Sequence, residues 1–166
     1  MSTEPELGPA ARAAAAMGLA FTEIRMPRPP TSAEDSAAMQ GIELHQLLRT
    51  IVLRRGHGDY LFVLVPGGRT IDWPLLRGHL GVRKISLPDQ EEARTATGYE
   101  RGAITPFGSE TAWPVLADAT VAGQDLVAIG GGIRGVNLHL RADDMLAALG
   151  ADVADVSRPD EPAQGS

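Results

Sequence analysis

The residues with the most unusual spacing for chemistry lie in Gly98-Tyr-Glu-Arg-Gly102-Ala-Ile-Thr-Pro106-Phe-Gly108. Three glycines and a proline in eleven residues exclude a helix interior and a central strand. The proline also restricts Thr105 before it, so the segment reads as a rigid, shaped loop. Such a loop exposes backbone N–H and C=O groups, and Thr105 adds a hydroxyl. A second glycine-dense loop, Gly130-Gly-Gly-Ile-Arg-Gly135, lies downstream. Two such loops in one small domain suggest two walls of one pocket.

Arg49 is the second chemical feature. It interrupts the run Leu47-Leu-Arg-Thr-Ile-Val-Leu53, which reads as a central strand. Period two places it with Leu47, Ile51 and Leu53 on one face. A guanidinium in such a row needs an anion or several acceptors, because unpaired burial is costly. An internal acidic partner, or escape over the strand edge, would satisfy it equally. Arg134 among glycines has similar reach toward a phosphate.

Other chemistries find little support. With no cysteine there is no thiol nucleophile, disulfide or thiolate metal site. His45, His57, His79 and His139 are scattered without ligand spacing, so no metal is expected. Ser86 and Ser109 lack a nucleophile-elbow sequence. Asp118 and Asp125 read as turn caps. No Gly-x-Gly-x-x-Gly follows a strand at a helix start, and no cofactor is expected.

The elements that must position these residues fit one domain. The 166 residues, 43% hydrophobic, suffice for a sizeable core. No apolar run is long enough to span a membrane, and the acidic start Met1-Ser-Thr-Glu-Pro-Glu does not read as a secretion signal, so a soluble cytoplasmic protein is expected. Net charge is -6, but Arg49, Arg54, Arg55, Arg69, Arg77, Arg83 and Lys84 face only Asp59 and Asp72 between positions 45 and 84. One basic face on an acidic protein is therefore possible.

In chain order, an alanine-rich helix over Pro9–Met17 precedes an edge strand over Leu19–Arg25 and the extended connection Met26-Pro-Arg-Pro-Pro30. Thr31, with Glu34 three residues on, predicts a capped helix ending at Gly41. Leu47–Leu53 and Tyr60–Val65 form a hairpin about Gly56-His-Gly58-Asp59. Helices follow from Asp72 to His79, from Pro88 to near Gly98, and from Asp143 to Leu149. Short strands are expected at Trp113–Leu116, Leu126–Ile129, Val136–Leu140 and Ala151–Val156. Residues 1–6 and 158–166 read as flexible ends around a domain of residues 7–157. The sum is an α+β fold, a single domain with a mixed, largely antiparallel sheet and surrounding short helices. A monomer or weak homodimer is expected.

These motifs, in this order, resemble the YbaK/ProX group of aminoacyl-tRNA deacylases, related to the editing domain of bacterial prolyl-tRNA synthetases. The resemblance rests on the Thr31-Ser-Ala-Glu-Asp-Ser-Ala-Ala helix, the strand Leu48-Arg-Thr-Ile-Val, Thr97-Gly-Tyr, the Gly102–Pro106 loop and Ile129-Gly-Gly-Gly-Ile-Arg-Gly135. It implies hydrolysis of the ester joining a wrong amino acid to the terminal ribose of tRNA, with misacylated tRNA as partner and an aminoacyl-tRNA synthetase as a possible second. It further implies Gly102 and Arg49 as catalytic positions. Substrate contacts are implied at Thr31, Thr50, Ile104, Thr105, Pro106, Phe107, Gly131, Gly132 and Arg134. The family's usual lysine before the strand threonine is replaced here by Arg49, before Thr50. That change keeps the charge but alters reach and hydrogen-bond geometry. A noncatalytic tRNA-end or synthetase-associated binding module is therefore the alternative, and a small-molecule-binding domain a third.

Overall fold

A computed structural model describes residues 6–161 of the protein. Helix α1 (Pro9–Ala16) starts on its proline, where the missing N–H costs nothing. Strand β1 (Thr22–Arg25) leads to α2 (Ala33–Gln40) and a 3₁₀ turn over Leu44–Gln46. The hairpin β2 (Leu48–Gly56) and β3 (Asp59–Pro66) follows, then β4 (Arg69–Ile71), α3 (Trp73–Leu80) and α4 (Gln90–Thr97). The chain closes with β5 (Val115–Asp118), β6 (Leu126–Gly130), β7 (Val136–Arg141), α5 (Ala142–Leu149), β8 (Asp152–Ala154) and β9 (Ser157–Pro159).

The strands form three sheets, in the orders β1-β7-β6, β2-β3-β5-β8 and β4-β9. The first and third are antiparallel; the second joins an antiparallel β2–β3 pair to parallel β5 and β8. The expected α+β single domain with short helices is therefore present. Alternation along the hairpin sorts its side chains into two cores. Leu48, Val52, Phe62 and Leu64 face Ile129 and Leu138 of the first sheet, with Met145 and the alanines of α1 in the same cluster. Leu53, Leu61, Val63 and Val65 face the other way, onto Ile71, Leu76 of α3 and Val156.

Four expectations need correction. The run from Leu47 to Leu53 is not a central strand: β2 is the edge of its sheet, and β3 lies inside. The difference is legible in hindsight, since Tyr60 to Val65 is uninterrupted and buried throughout, whereas β2 carries Arg49, Arg54 and Arg55. The cap of α2 is Ser32, whose hydroxyl accepts from the Asp35 N–H at 3.0 Å; Thr31 sits one residue outside and donates to Asp35. Residues 69–71, expected only to follow a turn, form β4. The flexible end expected from Arg158 is ordered at its start, because β9 pairs Arg158 with Thr70 and Pro159 with Arg69. Residues 1–5 and 162–166 lie outside the described residues.

As an edge strand, β2 turns alternate backbone groups away from its sheet. The Phe62 N–H donates away from β2, to the Pro114 carbonyl at 2.9 Å, so its partner Val52 also turns its backbone outward. The same alternation turns Thr50 outward. Leu47 bridges to Ala128 at one end of the strand, and Arg54 exchanges hydrogen bonds with Ser86 at the other (2.9 and 3.1 Å). Between these two bridges β2 has no strand on its outer side among the described residues.

The second core is closed by Asp118, a buried carboxylate at the end of β5. It accepts from the Val156 N–H (3.0 Å), the Thr120 N–H (3.0 Å) and the Thr120 hydroxyl, while Arg69 Nε lies 3.8 Å away. Burial opposes its charge, but these hydrogen bonds outweigh burial and hold the carboxyl below the ordinary carboxylate range. Its stabilising contribution is therefore complete above the unfolded-state value of about 4 and is lost as pH falls below it. Asp118→Asn should lower stability by about 1–3 kcal/mol at neutral pH. Urea titrations from pH 7 to 3 should show the gap between variant and wild type closing at the acid end.

Candidate functional site

The segment after α4 is built as a clamp. Thr97, at the end of the helix, donates to the Ala93 carbonyl and accepts from the Tyr99 N–H (2.8 and 3.1 Å). Tyr99 turns back across the loop, and its hydroxyl donates to the Phe107 carbonyl at 2.7 Å. Burial raises the Tyr99 pKa, so the phenol keeps the proton it donates. Phe107 is wholly buried in the first core, as is Thr105, whose hydroxyl accepts from the Phe107 N–H at 3.3 Å. Thr105, Pro106 and Phe107 thus anchor the loop, leaving Arg101, Gly102 and Ile104 at the surface of a cavity.

The second glycine loop is the tight β6–β7 hairpin, closed by Gly131 N–H to the Val136 carbonyl at 2.8 Å. It packs directly on the first loop: a Cβ on Gly130 would stand 3.0 Å from the Ile104 carbonyl. Arg134 Nε donates to the Arg101 carbonyl at 3.1 Å, tying the loops together at their outer end. Gly102 has φ +89° and room for a Cβ in ordinary contact with Arg134, whereas Gly132 has φ +83° and lies against the Tyr99 ring and Pro9.

Between these loops and the open edge of β2 lies a cavity of about 840 Å³. Leu48, Thr50 and Ile51 line it from the strand, and Gly130, Val136 and Asn137 from the hairpin. The Met26–Pro30 segment and Ser36 of α2 close the remaining side. Among the described residues its only charged lining groups are Arg28, Arg49, Arg101 and Arg134, and no carboxylate lines it. Arg28 is neutralised by a two-pronged pair with Asp35 at 2.7 and 2.9 Å. That pair, with help from the Thr31 N–H, holds the Asp35 carboxyl far below its usual range. Arg49, Arg101 and Arg134 form no salt bridge among the described residues. Arg49 is exposed, and its guanidinium donates to the Arg69 carbonyl at 2.6 Å. Thr50 Oγ1 is buried with no hydrogen-bond partner among the described residues. The cavity is thus an anion-attracting mouth on an acidic protein.

Of the sequence-derived positions, the structure brings Arg49, Thr50, Gly102, Ile104 and Arg134 around this cavity. Thr105, Pro106 and Phe107 are beneath it in the core, and Gly131 and Gly132 pack behind it on Val136 and Tyr99. Thr31 belongs to the exposed Asp35 network and does not line it. Sequence reasoning missed Met26, Ser36, Asn137 and Arg101. The proline-rich run from Met26 to Pro30 was the available signal, since two fixed φ angles in a row make a wall as well as a connection. None of the four histidines lines the cavity; His79 pairs with Asp152 and His139 with Gln40. Among the described residues no group of His, Asp and Glu could hold a metal ion, and no helix is long and apolar enough to cross a membrane.

Two glycines of positive φ should separate experimentally. Gly102→Ala meets only backbone strain of about 1–2 kcal/mol. Gly132→Ala adds a Cβ 2.9 Å from the Tyr99 ring to the same strain, and should lose clearly more in urea unfolding.

The sequence pattern of the aminoacyl-tRNA editing domain matches residues 28–148, which contain every cavity-lining residue except Met26 and Pro27. Among curated proteins, the proline–tRNA ligase of Streptococcus equi subsp. zooepidemicus is 28% identical over 136 residues, 82% of this chain and 21% of that protein. The proline–tRNA ligase of Moorella thermoacetica is 30% identical over 99 residues, 60% of this chain and 17% of that protein. The chain therefore spans about a fifth of the length of these relatives. A solved structure described as a candidate trans-editing enzyme for prolyl tRNA synthetase superposes with TM-score 0.83 at 26% identity, covering 92% of this chain and 99% of that one. The hypothetical protein APE2540 shares the fold (TM-score 0.82, 23% identity, 90% and 99% covered). With more than half its length matched and its cavity inside the match, this chain belongs to the aminoacyl-tRNA editing domain family.

Proposed function

We propose that this protein is an aminoacyl-tRNA deacylase that hydrolyses the ester of a misacylated tRNA in trans. The observation that carries the reading is a cavity with no carboxylate lining it among the described residues, rimmed by Arg49, Arg101 and Arg134, which form no salt bridge among those residues, and lying within an editing-domain match. The 3′ end of a tRNA is an anionic strand ending in an aminoacyl ester. Arg49, Arg101 and Arg134 suit its phosphates, as contacts that position without reading sequence. The aminoacyl group then enters the cavity between the glycine loops and the edge of β2.

No side chain at the cavity is a credible nucleophile, and none is needed. A water molecule attacks the ester carbonyl, its oxygen forming the new C–O bond. The bond to the ribose oxygen breaks, and that oxygen leaves with a proton, yielding free amino acid and tRNA. The neighbouring ribose hydroxyl and the backbone groups about Gly102 can orient water and carbonyl. Placement of this kind supplies a large part of a hydrolytic rate. A guanidinium is a fork of N–H donors with no acceptor, so Arg49 binds and stabilises rather than accepting a proton.

The second reading, a binding module without turnover, is favoured by the 2.6 Å bond that ties Arg49 back to the Arg69 carbonyl. A guanidinium committed there has fewer donors for substrate. A panel of misacylated tRNAs, including alanyl, cysteinyl and seryl esters, decides between the two. Amino-acid release above the buffer rate from at least one is expected, and saturable tRNA binding without release from any would establish the module. We further propose a cytoplasmic location and a monomer or weak homodimer, the latter checked by sedimentation at several concentrations.

Arg49→Ala should cost about 1–3 kcal/mol in tRNA capture or single-turnover rate while the melting temperature holds. Arg49→Lys keeps the charge and should keep or raise activity. If folded Arg49→Ala matched wild type in both binding and rate, Arg49 would not belong to the site.

A further inference from the structure

Helix α2 lies over the face of β7 that carries Asn137 and His139, and a chain of hydrogen bonds runs between them to the cavity. His139 Nε2 meets Gln40 Oε1 at 2.9 Å, and Gln40 Nε2 lies 3.0 Å from Ser36 Oγ and 3.9 Å from Met26 Sδ. Ser36 Oγ is in turn 3.6 Å from the same sulfur. A thioether only accepts, so both groups facing it are donors. That fixes every direction: His139 donates to Gln40, Gln40 donates to Ser36, and the Ser36 hydroxyl proton is left to point at Met26. Ser36 is only 7% exposed, and both it and Met26 line the cavity.

The last link is the weak one. Sulfur is a poor acceptor, so an oxygen entering the cavity would take the Ser36 proton at little cost. Thr50, on the same cavity, has a buried hydroxyl with no hydrogen-bond partner among the described residues. With Asn137, these two are, among the described residues, the only uncharged side chains with N–H or O–H groups in a lining otherwise made of Met26, arginine, glycine, proline and aliphatic residues. A cavity holding two hydroxyls with unspent hydrogen-bonding capacity is built for a polar occupant.

We propose that Ser36 is a specificity-determining residue whose hydroxyl, held by Gln40, donates to a side-chain oxygen of the aminoacyl group, so that hydroxyl-bearing amino acids are preferred over aliphatic ones of similar size. This rests on the deacylase reading, because it supposes an aminoacyl end in the cavity. A ribose hydroxyl of the terminal nucleoside offers the same acceptor chemistry, and the experiment separates the two sources.

The test titrates the full chain with non-hydrolysable amide analogues, 3′-seryl- and 3′-alanylamino-3′-deoxyadenosine. Wild type should bind the seryl analogue about tenfold more tightly, the worth of one buried hydrogen bond. Ser36→Ala should bring the ratio close to one while leaving alanyl affinity unchanged. Met26→Leu, which removes the competing sulfur at nearly constant volume, should hold or widen the ratio. Gln40→Met, which frees the Ser36 hydroxyl to rotate, should reduce it part-way, and it serves as the second variant if Ser36→Ala melts early. Equal weakening of both analogues by Ser36→Ala would assign the contact to ribose and overturn the side-chain assignment. A ratio unchanged in folded Ser36→Ala, or binding of neither analogue, would overturn the proposal outright. Because these analogues cannot be hydrolysed, the deacylation panel judges the parent reading separately.

Discussion

The structure depends on a strand edge that is left unpaired. β2 is held to its neighbours at Leu47 and Arg54 and, among the described residues, by no strand between them on its outer side. Its outward backbone groups must then be met by something other than a strand. The fold answers by arching two glycine loops, a proline-rich segment and a short helix over the gap without filling it. The cavity is what remains. Arg49 arises from the same constraint, because an edge strand can carry charge where the central strand of this sheet, β3, is apolar and buried from Tyr60 onward.

Each wall is held in place by burial elsewhere. Phe107 fixes the first loop from inside the core, and the Tyr99 hydroxyl locks its closure. The β6–β7 hairpin then leans on that loop through Gly130, where a methyl group would already be tight against the Ile104 carbonyl. The Met26–Pro30 segment is stiff by composition and is tied to α2 by the Arg28–Asp35 pair. Rigid surroundings of this kind suit a reaction that relies on placing water and ester correctly.

The hairpin, the helices and the partnership of two glycine loops were legible in the residues, through local signals: turn residues, periodicity and caps. What escaped was tertiary. Period two places Arg49 on a face but is silent on whether a neighbouring strand covers the edge. The glycine loops announced a pocket, yet only packing shows that Gly130 and Gly135 face it while Gly131 and Gly132 face Val136, Tyr99 and Pro9. Ser36 resembles any other helix serine until Gln40, His139 and Met26 are seen around it. β4 and β9 were missed because three-residue strands have no period of their own, only each other.

The pairing of β1 with β7 joins residue 22 to residue 139. Contacts between residues so far apart form late, since a long loop must be closed before any bond repays it. Met26 to Pro30 leave directly from β1, so that wall of the cavity has no fixed place until β7 has been made and has docked.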